Sequence, residues 1–140
     1  MSNGKTKAAA GDDGTKKTIK VLQVEDDQFL AGIYSAKLSV EGFAVLHAVD
    51  GAAGLKLARE EKPDVILLDI LMPKMDGFEV LQRLKKSSET NEIPVIILTN
   101  LAQKEDVDRG LKLGAADYLI KAHVGPADTV QRIKKVLKLA

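Results

Sequence analysis

Short aliphatic runs at residues 19–24, 44–48, 65–68, 95–98 and 118–120 predict five strands. The third and fourth are continuously apolar, as strands covered on both faces are. Between them, apolar positions recur at helical spacing. A first helix is predicted over 27–40, turning Leu30, Ile33, Tyr34 and Leu38 to a core and ending before Gly42. A second follows Asp50-Gly51 and is stopped by Pro63. A third runs over 77–87 with Val80, Leu81 and Leu84 inward, and a fourth over 103–113 with Val107 and Leu111 inward, terminated at Gly114. The fifth, over 127–139, aligns Val130, Ile133 and Leu137. Strict alternation of strand and helix implies a parallel sheet with right-handed crossovers and helices on both faces: a doubly wound α/β domain of five strands and five helices. In such sheets the functional crevice lies at the carboxyl ends of the strands.

Composition narrows the function classes. With 140 residues, 45% of them hydrophobic, the chain can close one core but not two; residues 18–140 are expected to form one domain and 1–17 a disordered tail. A formal net charge of +1 gives no global field for nucleic acid or an anionic membrane. The tail's Lys5, Lys7, Lys16 and Lys17 against Asp12 and Asp13 suit a solvated segment better than a nucleic-acid arm. There is no cysteine, hence no disulfide, thiolate zinc site or thiol nucleophile. Aliphatic runs stop at four residues, against the roughly 18 that a spanning helix requires. A soluble, cytoplasmic chain is the expectation.

The residues that follow the strands form a chemical set: Glu25, Asp26 and Asp27 after the first, Asp69 after the third, Thr99 after the fourth and Lys121 after the fifth. If the first and third strands are neighbours, four carboxylates converge, and their repulsion must be relieved by a cation or by protonation. Oxygen donors with no His or Cys suit a hard ion such as Mg²⁺, which keeps waters and bridges to phosphate. Lys121 and the Thr99 hydroxyl are suited to hold phosphoryl oxygens. Each residue alone has an ordinary reading. Asp27 is read as the cap of the first helix and left out of the site; Asp26 fits a cap as well as a metal, Glu25 a loop acid, Thr99 a turn and Lys121 a surface cation. Asp69 differs, because buried backbone aims it out of the sheet edge.

The loop Leu71-Met72-Pro73-Lys74-Met75-Asp76-Gly77, together with that set, resembles the receiver domain of two-component response regulators over residues 18–140. The resemblance implies a flavodoxin-like sheet of order 2-1-3-4-5. It implies Asp69 as phosphoacceptor; Asp26, Glu25, Asp69 and the backbone carbonyl of Leu71 as Mg²⁺ ligands; Thr99 and Lys121 as phosphoryl-binding groups; and Thr99 with Tyr118 as a switch. The implied partners are a histidine kinase or phosphotransfer protein upstream and a protein target downstream, with homodimerisation through the fourth helix, fifth strand and fifth helix. Catalysis would be limited to the domain's own phosphorylation and dephosphorylation. Because the sequence ends after the fifth helix, output by docking, phosphoryl relay or dimerisation is expected, without direct nucleic-acid binding.

Two departures from the family pattern bear on mechanism. Ala122 stands where the family usually has a Pro joined by a cis bond, and a non-proline cis bond costs about 2.5–4 kcal/mol, so a trans bond is predicted. In the family that the sequence resembles, the positions of Leu71 and Leu101 lie around the path of the hydrolytic water; neither side chain can orient it, so slow self-dephosphorylation is expected. His47 and His123 are read as structural or exposed. Three other readings share part of this pattern. A receiver fold that binds partners without phosphorylation is compatible with Ala122. A haloacid-dehalogenase phosphatase would want an acid where Leu71 stands, and a nucleotide binder a Gly-rich loop where the three acids stand.

Overall fold

A computed structural model describes residues 17–139; the tail expected over 1–17 lies, but for Lys17, outside the described residues. Strands and helices alternate without exception: β1 (Lys20–Val24), α1 (Gln28–Val40), β2 (Ala44–Ala48), α2 (Gly51–Glu61), β3 (Val65–Leu68), α3 (Gly77–Lys86), β4 (Val95–Thr99), α4 (Lys104–Lys112), β5 (Asp117–Ile120) and α5 (Pro126–Val136). All pairings are parallel, in the order β2-β1-β3-β4-β5. The order reverses between β1 and β3, the two strands that the acids follow. Register sets Val24 beside Leu68, so Glu25 and Asp69 leave the sheet side by side.

Two apolar layers cover the sheet. Leu22, Val24, Ile66, Leu68 and Ile97 meet Ala58 of α2 and Val80, Leu81 and Leu84 of α3 on one face. Val21, Val65, Leu67, Ile96, Leu98 and Leu119 meet Tyr34 and Leu38 of α1 and Val130 and Ile133 of α5 on the other. Side chains alternate across a strand, so β3 and residues 95–98 of β4 fill both layers and are apolar at every position.

Local signals set most boundaries. Asp27, Asp50 and Asp76 cap α1, α2 and α3, accepting from the amides of Leu30, Ala53 and Glu79. Gly125, followed by Pro126, caps α5, so that helix starts one residue before the predicted position and ends at Val136 rather than 139. Two predicted core residues point elsewhere. Ile33 is 43% exposed, because Ala31, Tyr34 and Leu38 make the buried stripe of α1 and Ile33 sits beside it. Leu111 is 46% exposed: α4 approaches the sheet through Gly110, its one buried residue. A Cβ there would lie 2.6 Å from Ile97 Cδ1 and 2.9 Å from Tyr118 Cδ2. The Arg109 guanidinium also stacks 4.2 Å above the Phe78 ring, tying α4 to α3.

Gly77 permits the tightest turn at the site. A Cβ on it would lie 2.3 Å from the Asp69 carbonyl oxygen and 2.7 Å from Ile70 Cα, both backbone atoms that cannot yield. Gly77→Ala is expected to destabilise the fold by about 2–3 kcal/mol, the range of overpacked sites. Gly32→Ala, where nothing lies within 4 Å, should stabilise α1 by about 0.5–1 kcal/mol. Urea unfolding of the two variants checks both signs.

Candidate functional site

Glu25, Asp26, Asp69, Thr99 and Lys121 come together at the carboxyl edge of the sheet. The first strand ends as the Glu25 amide pairs with the Ala48 carbonyl (3.0 Å), and the third as the Asp69 amide pairs with the Val24 carbonyl (3.1 Å). Both acids are thereby fixed by sheet hydrogen bonds, and both are buried, Glu25 at 7% exposure and Asp69 at 5%. Asp26 faces solvent. One carboxylate oxygen from each of the three lies within 4.8 Å of the others. That spacing is compatible with a single hard cation bridging them.

Lys121 is drawn into the same cluster. Its Nζ donates to Glu25 Oε1 at 2.5 Å and to Asp69 Oδ2 at 2.9 Å, and its own amide, 2.8 Å from the Thr99 carbonyl, seats it at the end of β5. Burial alone would lower its pKa, but the hydrogen bonds and charges of the two carboxylates outweigh that and hold it above the ordinary lysine value. Burial pushes the Glu25 carboxyl up, because its hydrogen bonds to Lys121 and to the Asp27 amide offset only part of the desolvation and the Asp69 charge adds to it. One ammonium is shared between two buried carboxylates, so the paired acid remains under-compensated.

The remaining oxygens of the pair are held by backbone. Glu25 Oε2 accepts from the Asp27 amide at 3.0 Å and Asp69 Oδ1 from the Leu71 amide at 3.2 Å. His47 Nε2 lies 2.7 Å from the Glu25 carbonyl oxygen, a structural contact as expected, and His123 is exposed. Thr99 is fully buried, and its Oγ1 accepts from the Leu101 amide at 3.3 Å. The Tyr118 hydroxyl donates to the Leu101 carbonyl at 2.6 Å, so Thr99 and Tyr118 grip opposite sides of one loop residue. Leu71 is 53% exposed beside the acids, whereas Leu101 packs on the α3-side core. No cis peptide occurs among the described residues, so the bond from Lys121 to Ala122 is trans as predicted.

Asp27 caps α1 as read and contributes only its amide to the cluster. Two features escaped the sequence. Lys121 is placed at the site by its sequence position, but its bridge between Glu25 and Asp69 is set by where β5 falls in the sheet. The apolar side chain of Leu101 does not announce that its backbone joins Thr99 to Tyr118, because no residue type signals a backbone contact.

Fold and site together define a doubly wound domain with an acidic, lysine-bridged pocket at its switch point. A family model described as the response regulator receiver domain matches residues 21–134, and the chain belongs to that family. The DNA-binding dual master transcriptional regulator RpaA of Synechocystis sp. is 40% identical over 120 residues, 86% of this chain and 48% of RpaA. The response regulator PleD of Caulobacter vibrioides is 39% identical over 120 residues, 86% of this chain and 26% of PleD. Among solved structures, the chemotaxis protein CheY4 of Vibrio cholerae superposes with a TM-score of 0.80 at 30% identity, covering 86% of this chain and 99% of that one. The chain spans about half the length of RpaA and a quarter of PleD.

Tyr118 supplies a test of this geometry. Burial, with the charges of Asp106 and Asp69 behind it, pushes its phenol up to about 12 from an ordinary value of 10.0. The folded state then holds its proton more tightly than the unfolded chain, so stability should fall as pH rises from about 10 to about 12. Ultraviolet titration of the phenolates is expected to show a component near 12 that disappears in Tyr118→Phe.

Proposed function

We propose that this chain is a phosphorylation-driven signalling switch in which Asp69 accepts a phosphoryl group from a phosphohistidine on a kinase or phosphotransfer protein. The observation that carries the reading is the buried Asp69 carboxylate, 2.9 Å from Lys121 Nζ and clustered with Glu25 and Asp26. In the transfer, an Asp69 carboxylate oxygen forms the new bond to phosphorus as the phosphorus–nitrogen bond to the donor imidazole breaks, leaving the imidazole to take a proton from solvent. The product is an acyl phosphate.

The donor set fits Mg²⁺: carboxylate oxygens alone, close together, one of them on the solvent-facing Asp26. Glu25, Asp26, Asp69 and the Leu71 carbonyl would hold the ion. When bound it neutralises charge between an anionic nucleophile and an anionic donor. Lys121 contributes a second positive charge from within the protein, and with its pKa above the ordinary value it stays protonated at any physiological pH. The Thr99 hydroxyl oxygen accepts from the Leu101 amide; movement of that side chain toward a phosphoryl oxygen breaks the bond and frees the loop that holds Tyr118. The phosphoryl group adds roughly 1.5–2 negative charges, and the two arrangements of Thr99 and Tyr118 are populations shifted by that charge.

Output is assigned to the face built from α4, β5 and α5, through a protein target, phosphoryl relay or a homodimer. Relatives named as a DNA-binding regulator and as PleD support a second route, in which a receiver of this kind governs an attached output domain; direct DNA contact by residues 18–140 is not part of the reading. Residues 18–140 are taken as the receiver domain and 1–17 as a tail. Among the described residues no helix is long and apolar enough to cross a membrane, and a cytoplasmic location is proposed with the partners.

Incubation with acetyl phosphate and Mg²⁺ followed by intact mass is expected to show one phosphoryl adduct, absent after chelation and absent in Asp69→Asn. No adduct on the unaltered chain favours the binding module without phosphorylation, and continuous phosphate release favours a phosphatase. Lifetime is a separate test. With apolar side chains at positions 71 and 101, the adduct should decay slowly, and Leu71→Asn or Leu101→Glu should quicken its loss, by up to about tenfold if each orients water through one hydrogen bond. Rapid decay that neither change accelerates removes the two leucines from the account.

A further inference from the structure

The loop that carries Lys121 has little of its own to hold it. After β5 the chain turns back on itself through the amides of His123 and Val124, both bonded to the Ile120 carbonyl at 2.9 and 3.1 Å. Ala122 and His123 are exposed, and alanine leaves free the φ that a proline ring would fix at position 122. Yet the Lys121 ammonium must stay within hydrogen-bond distance of two carboxylates on other strands.

Tyr34 reaches this loop from α1. Its ring is buried at 5% exposure in the layer that contains Leu38, Val130 and Ile133. Its hydroxyl lies 3.5 Å from the Val124 carbonyl, a long contact, with Thr129 nearby on α5. Thr129 is fully buried and itself donates to the Gly125 carbonyl at 3.0 Å. The two carbonyls at the far end of the loop are thus met by two side chains, Val124 by the Tyr34 hydroxyl and Gly125 by the Thr129 hydroxyl. A phenol in an otherwise apolar layer is costly to bury unless it is satisfied, so the contact is one the fold is built to keep. Helix α1 begins three residues after Glu25, so Tyr34 joins the element leading out of the acids to the loop bearing their counter-charge. A cavity of about 10 Å³ is lined by Tyr34 together with Glu25 and Asp69, among others. Tyr34 thus acts near the reacting atoms without touching them.

We propose that Tyr34 is a positioning residue that holds the Lys121 loop in register with Glu25 and Asp69 where position 122 supplies no constraint. The proposal rests on the phosphoacceptor reading for its kinetic consequence, but its structural half is independent of it. Tyr34→Phe removes one oxygen and keeps the ring. In the full 140-residue chain, labelling by acetyl phosphate with Mg²⁺ should slow about threefold to tenfold, the range of a single hydrogen bond. Amide exchange should quicken at residues 121–125 while β1, β3 and β4 are unchanged, and Thr129→Val should act in the same direction and serve if Tyr34→Phe does not fold. In a Lys121→Ala background Tyr34→Phe should cost nothing further, because the residue it positions is gone. Unchanged labelling and exchange in Tyr34→Phe, or an equal slowing with and without Lys121, overturns the assignment. Failure of the unaltered chain to label would instead sink the phosphoacceptor reading, and the exchange comparison would still decide the role of Tyr34.

Discussion

The ammonium of Lys121, set between Glu25 and Asp69, is the interaction on which the site depends. Parallel strands bring the ends of β1 and β3 together, and with them two buried carboxylates that repel. Burial makes that repulsion expensive, and it also makes the lysine effective, since a charge shielded from water acts more strongly on its neighbours. The arrangement is tense by construction. One cation faces two acids, the burial penalty on Glu25 is not fully offset, and a third acid, Asp26, lies beside them in solvent. A pocket in that condition is prepared to take up positive charge or to change the charge it already carries.

The fold was legible because its signals are redundant. Every position of β3 and the first four of β4 are apolar, α2 and α3 begin on aspartate caps, and Pro63 stops α2; each rule points to the same boundary. What escaped was governed by tertiary approach rather than by local pattern. Leu111 has the spacing of a core residue, but Gly110 lets the Tyr118 ring and Ile97 fill the contact and turns the leucine outward. Ile33 likewise yields to the tighter stripe of Ala31, Tyr34 and Leu38.

The candidate site was legible as a set of residues and not as a set of contacts. Strand ends can be counted along a sequence, and that count brought Glu25, Asp26, Asp69, Thr99 and Lys121 to one edge. Which oxygen meets which donor depends on sheet order and side-chain reach. The Lys121 bridge and the backbone role of Leu101 therefore become visible only in three dimensions. Tyr34 illustrates the same limit, since a tyrosine at a core position announces its ring but not the destination of its hydroxyl.

Two separate chains of touching atoms run from Asp69 to α4. One leaves from the carboxylate, by way of the Lys121 ammonium and amide, Thr99 and the Leu101 backbone, to Tyr118, whose ring lies against Gly110. The other leaves from the main chain, where Gly77 abuts the Asp69 carbonyl, continues into Phe78, and ends at the cation stacked upon it, Arg109. They arrive at consecutive residues of the same helix. That segment is moored twice, once to the carboxylate and once to the peptide unit behind it, so cutting a single mooring slackens the helix without setting it adrift.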